Sequence, residues 1–236
     1  MAKSILHTAE SRGMTNQGWI HSRHTFSFGG YYDAEKIHFG ALRVINDDMI
    51  APGKGFGSHP HSNMEIISIP LDGELYHKDS LNVESVIKPG HIQVMSAGDG
   101  IFHSEYNKRR DCSLKMIQIW IMPKVQGAKA RYEQMEYSIK EDDFTELISP
   151  DLHDDSMWVY QDVWFYLGHI HEGRSLNYFL KNTKENGVYI FMIDGETDIN
   201  GKKLTTRDGI GLWEISEIKI TASRESRFLL MEIPMH

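Results

Sequence analysis

Leu71-Asp72-Gly73-Glu74 returns, about half the chain later, as Ile193-Asp194-Gly195-Glu196. Each tetrapeptide divides two runs rich in β-branched and aromatic residues, 65–71 from 74–78 in the first half and 187–193 from 196–200 in the second. A second turn repeats at nearly the same offset, Lys88-Pro89-Gly90 against Arg207-Asp208-Gly209, and each is followed by another strand-like run. Working outward, the spacing predicts further strands at 40–45, 84–88, 91–95 and 114–122, then at 157–160, 163–170, 176–181, 203–206, 210–213, 217–221 and 227–233. Asn200-Gly201, between alternating flanks, is a two-residue hairpin signal, because both positions tolerate positive φ. Apolar residues at helical spacing are scarce, so the chain reads as all-β with few short helices. The echo predicts two β-barrels packed face to face, an N-terminal domain over 1–130 and a C-terminal domain over 131–236. They join across 123–155, where 141–147 is the expected helix.

The 236 residues carry 40% hydrophobic side chains, enough to bury a core and too many for a disordered chain. A single cysteine, Cys112, excludes an intrachain disulfide framework and a multi-thiolate zinc cluster, and it fits a reducing, cytoplasmic setting. No apolar run approaches the ~18–20 residues of a membrane helix. The net charge of −8, with Lys108-Arg109-Arg110 as the only compact basic run, disfavours direct nucleic-acid binding. GxGxxG, Walker and GxSxG patterns are absent, so nucleotide and serine-hydrolase chemistry lose their usual sequence support.

Thirteen histidines against one cysteine direct attention to imidazole chemistry. In Gly55-Phe56-Gly57-Ser58-His59-Pro60-His61 the two histidines stand at i and i+2, on one face of an extended strand. Gly98-Asp99-Gly100-Ile101-Phe102-His103-Ser104-Glu105 repeats the arrangement with His103 and Glu105. Two antiparallel neighbours would aim both pairs at one interior point. Three neutral nitrogens and a carboxylate suit a borderline first-row ion and leave positions open for small molecules. Glu65 closes a His-x-His-x-x-x-Glu pattern and is a rival ligand or a supporting partner, while Phe56, Phe102 and the flanking glycines are candidates for an apolar mouth. His169-Ile170-His171 reads as a solvent-facing pair, and His21 and His24 read as hydrogen-bonded structure.

These residues carry a resemblance. His21 to Phe28, Leu42 to Asp48, the segment from Gly57 to Glu65, Asp79-Ser80, and Met95 to Asn107 follow the order of the pirin family of the cupin superfamily. The chain most resembles bacterial pirin-like quercetin 2,3-dioxygenases. Resemblance implies a bicupin whose N-terminal barrel holds one divalent metal on His59, His61, His103 and Glu105, and whose C-terminal barrel holds none. Iron(II) is the expected ion, with manganese, nickel, cobalt, copper and zinc as alternatives. The implied activity opens flavonols such as quercetin with dioxygen to a depside and carbon monoxide, with Glu105 as the catalytic base. The same family also implies an alternative, a non-catalytic metal-dependent regulator that binds a protein partner. Two departures stand out: Glu65 and Gly73 are one residue too far apart for the first cupin motif, and Gly98 occupies the second motif's proline position.

Overall fold

The structure is a computed structural model describing residues 2–151 and 156–236. The first half contributes β1 (Lys3–His7), a 3-10 turn (Ala9–Ser11), β2 (Gly13–Asn16), β3 (Ile20–His24), β4 (Leu42–Ile50), β5 (Gly55–His61), β6 (Glu65–Asp72), β7 (Leu75–Asp79), β8 (Glu84–Ile87), β9 (His91–Ser96), β10 (Ile101–Asn107), β11 (Leu114–Ile121) and β12 (Arg131–Glu136). The second contributes β13 (Asp143–Ile148), β14 (Trp164–Ile170), β15 (Ser175–Phe179), β16 (Asn186–Ile199), β17 (Lys202–Thr205), β18 (Gly209–Trp213) and β19 (Glu217–Pro234). The N-terminal barrel pairs a seven-stranded sheet, β12-β9-β6-β11-β4-β3-β2, with a four-stranded one, β5-β10-β7-β8. The C-terminal sheet runs β1-β18-β16-β19-β14-β13, with β15 on β19 and β17 on β16.

Period-2 alternation decides what faces what. On β4, β6, β9 and β11, Ile45, Ile67, Ile69, Ile92, Val94, Ile117, Ile119 and Ile121 point one way, into an apolar layer shared with Phe165, Leu167, Tyr189, Phe191, Leu229 and Met231 of the other half. This layer seals the two sheets face to face. The C-terminal barrel is filled on its other side by a second apolar cluster that includes Val188, Ile190, Leu212, Phe228 and Leu230. The opposite face of β4, β6 and β11 is polar where it matters: Asn46, Asp48, Ser68 and Gln118 are buried inside the N-terminal barrel.

Two of the expected boundaries move. Strand β1 hydrogen bonds to β18 in the C-terminal sheet, while β12, which begins beyond residue 130, pairs with β9 in the N-terminal sheet. Each of these two strands thus lies across the division at residue 130. The crossing is closed by the Ala41 N–H, which donates to Pro234 O at 2.9 Å, and by Gly40 at φ 54, where an added Cβ would lie 2.2 Å from that same oxygen.

The segment 141–147 is not a helix; β13 occupies Asp143–Ile148 and pairs with β14. Its Thr145 and Leu147 are buried on one face, so tertiary pairing outweighs the helix propensity of its glutamates. The runs 187–193 and 196–200 fuse into β16, with Asp194-Gly195 as a bulge, and 217–221 and 227–233 fuse into β19. The stretch expected at 157–160 forms no strand; Met157 makes only an isolated bridge to Ile148. Residues 152–155 of the joining segment lie outside the described residues. The Asn200-Gly201 turn forms as expected, at φ 51 and φ 82, between β16 and β17.

Candidate metal centre

Strands β5 and β10 are antiparallel neighbours, and their register sets His103 directly opposite His59. A register shift between His103 and Glu105 marks a bulge there, and Glu105 faces His77 of β7 on its other side. One ligand atom from each of His59, His61 and His103 lies within 4.8 Å of the other two. The ring centroids are 4.4 Å apart for His59 and His103 and 5.0 Å for His61 and His103. A second group, His77, His103 and Glu105, meets the same 4.8 Å limit, so the two clusters share His103.

The protonation states favour cation binding. His59 Nδ1 lies 2.7 Å from the Gly57 carbonyl, which places its proton on Nδ1 and leaves Nε2 as a lone pair. Burial, reinforced by the neighbouring His59, lowers His61 to about 4. Burial, with His59, His61 and His77 around it, lowers His103 to about 2. Both imidazoles are therefore neutral at pH 7. Both ring nitrogens of His103 are buried with no hydrogen-bond partner among the described residues. An orphaned imidazole between two others is the fit expected of a ligand to a borderline divalent ion, since burying a polar group without a partner is otherwise costly.

Glu105 is fully buried, and burial pushes its carboxyl above the usual range, opposed by His77 and by the Gln118 amide. Gln118 Nε2 donates to Oε2 at 2.8 Å, Ser68 Oγ to Oε1 at 3.4 Å, and Trp120 Nε1 donates to Gln118 Oε1 at 3.2 Å. A chain of side-chain hydrogen bonds therefore orients the carboxylate. A cavity of about 290 Å³ opens in front, walled by Phe28, Phe56, Ile66 and Trp120 and floored by His59, His61, His103 and Glu105. Trp120 stands edge-on to His61 at 5.0 Å and to Phe28 at 5.3 Å. The far wall is polar: His24 is hydrogen bonded to Thr15 and Asn46, at 2.9 and 2.8 Å, and Asp48 is buried with its Oδ1 unpartnered. Burial, together with nearby Asp47 and Glu105, raises Asp48 to about 7 against a hydrogen bond from Ser22.

Other candidates fall elsewhere. Glu65 is buried, but it points away from the cavity, opposite to Ile66 and Ser68 on β6; its Oε2 accepts from Ser96 Oγ at 2.6 Å. Phe102 is on the outer face of β10 and 57% exposed, one position out of phase with His103, so it does not line the mouth. Sequence reasoning passed over His77, Gln118 and Asp48. His77-x-Asp79 carried an i, i+2 signal, and His77 Nε2 lies 2.9 Å from Asp79 Oδ2, but Gln118 and Asp48 become visible only when β4 and β11 are set beside the histidines.

The fold and this site define a bicupin with a histidine-rich cavity in its N-terminal barrel. The Pirin family model matches residues 6–121, and the model for a quercetinase C-terminal cupin domain matches 146–233. The chain is 41% identical over 229 residues to quercetin 2,3-dioxygenase of Escherichia coli K12, covering 97% of this chain and 98% of that one. It is 36% identical to a pirin-like protein of Caulobacter vibrioides, covering 93% and 95%. Among solved structures, the bacterial pirin YhhW of E. coli in complex with nickel(II) superposes with a TM-score of 0.94 at 40% identity, covering 98% and 99%. The chain belongs to the pirin family.

Proposed function

We infer that the chain is a metal-dependent dioxygenase of the quercetin 2,3-dioxygenase type. The reading is carried by the three convergent histidines, with the orphaned nitrogens of His103 among them, beside a buried carboxylate at the floor of an aromatic-walled cavity. It is supported by the names of the full-length relatives. His59, His61, His103 and Glu105 are the residues that would hold one divalent ion; iron(II) is our assignment, with nickel, manganese, cobalt, copper and zinc as alternatives. When bound there, a divalent ion supplies Lewis acidity that lowers the pKa of a flavonol's 3-hydroxyl.

The protein's own groups do the rest. Glu105 takes up the 3-hydroxyl proton, a role suited to a carboxyl that burial holds above its usual range. Gln118 and Ser68 hold its two oxygens in place, and Trp120 fixes the Gln118 amide so that it donates to Glu105. Phe28, Phe56 and Trp120 clasp a flat ring and exclude water. The substrates are a flavonol and dioxygen, and the products a depside and carbon monoxide.

The test is quercetin loss and carbon monoxide release by protein reconstituted separately with each of the six ions, beside His61→Ala and metal-free controls. Turnover that requires both the ion and His61 is the expected result. Absence of turnover with every stoichiometrically bound ion overturns the assignment.

A further inference from the structure

His169 and His171 acquire a third partner in the folded chain. His169 sits near the end of β14 and pairs with Arg227 of β19, and Glu225, two residues earlier on β19, brings Oε1 to 3.0 Å from His169 Nε2. One ligand atom from each of His169, His171 and Glu225 lies within 4.8 Å of the other two, and the two rings are 5.1 Å apart. His169 is half-buried, not solvent-facing as the sequence suggested.

His171 is held from behind. Asp142 Oδ1 accepts its backbone N–H at 2.8 Å and lies 3.3 Å from Nδ1. A proton on Nδ1 then donates to Asp142, and the Nε2 lone pair is free, which is how a carboxylate orients a metal-ligating histidine. The nearby guanidinium of Arg227 is taken up by Asp194, with Nε 3.1 Å from Oδ2, so it does not neutralise Glu225 by direct pairing.

We propose that His169, His171 and Glu225 form a second divalent-cation site, on the outside of the C-terminal barrel, that takes zinc(II) or copper(II) with water completing the coordination. Two imidazoles and one carboxylate select a borderline first-row ion over magnesium or calcium, which prefer oxygen shells. Ligand bonds of about 2.1 Å set neighbouring donor atoms roughly 3.0–3.4 Å apart. Closing from within 4.8 Å therefore needs only side-chain rotation, and Glu225, 65% exposed, is free to supply it. The ion ties the end of β14 to β19 and, through His171 and Asp142, to the start of β13. The site shares no residue with the central one, so it stands whether or not the flavonol reading does.

The experiment counts ions. Metal-free protein is titrated with zinc(II) against a chromophoric chelator, and copper(II) loading is followed by electron paramagnetic resonance. The parent is expected to bind two ions per chain. His171→Ala with Glu225→Gln binds one and keeps its flavonol turnover, His59→Ala with His61→Ala also binds one, and copper on the latter loses the coupling of one imidazole nitrogen, keeping that of His171, when His169→Asn is added. Circular dichroism and thermal melting of each metal-free variant verify the fold. A count that is the same in the parent and in His171→Ala with Glu225→Gln overturns the proposal.

Discussion

Replacing Asp48 by asparagine should stabilise the metal-free protein, and by an amount that depends on pH. Asp48 is buried inside the N-terminal barrel with one oxygen unpartnered, and burial raises its carboxyl to about 7. In the unfolded chain the same group titrates near about 3.9. Between those values the folded state holds a proton that the unfolded state has lost, so stability falls as pH rises from about 4 to about 7 and levels off above. The full difference corresponds to roughly 4 kcal/mol, an upper bound because water penetration and side-chain relaxation soften it. Asparagine cannot ionise. Urea denaturation of parent and Asp48→Asn, metal-free, at intervals from pH 4.5 to 8.5 should therefore show a gap that opens as pH rises and flattens above about 7. A gap that is the same at every pH would refute the argument that an unpaired buried carboxylate is its source.

Three other outcomes follow from the geometry. With the His61 and His103 imidazoles neutral at pH 7, ion binding at the central site should displace no proton from either of them; calorimetry in buffers of different ionisation enthalpy, compared between parent and His61→Ala, reads this, and the contribution of His61 to affinity should be lost as it protonates near pH 4. Gln118→Leu removes the amide that holds Glu105 and should cost about 1.5–3 kcal/mol in the reaction barrier, lowering kcat by roughly tenfold or more while the ion count stays the same. Asp47→Ala leaves Arg12, 6% exposed and over Phe191 at 5.4 Å, without its carboxylate and also frees Arg207, 3.3 Å from the same oxygen; unfolding free energy should drop by about 3 kcal/mol, read by denaturant melts.

Much of the centre was legible because the signal was local. His59 with His61, and His103 with Glu105, share a face by the two-residue period of a strand, and only their meeting had to be assumed. Glu65 shows where this logic stops: its distance from His61 fits a ligand, yet parity along β6 sends it away from Ile66, which lines the cavity, and from Ser68, which reaches Glu105. Phe102 fails for the same reason, one residue out of phase with His103. The turns of the internal echo were readable, but not their different fates. Gly73 turns the chain from β6 into β7 of another sheet, whereas Gly195 is a bulge within the continuous β16.

By itself the sequence determined the all-β character, the doubled design, the Asn200-Gly201 hairpin and the two histidine-bearing strands, because each depends on residues only a few positions apart. Tertiary structure alone decided that β1 and β12 cross between the barrels, that 143–148 is a strand, that Gln118 and Trp120 brace Glu105, and that Glu225 meets His169 and His171. Those outcomes rest on which strands become neighbours. That choice is made by burying the apolar layer between the sheets and pairing strands that lie far apart in sequence, a property of the whole chain that no short window contains.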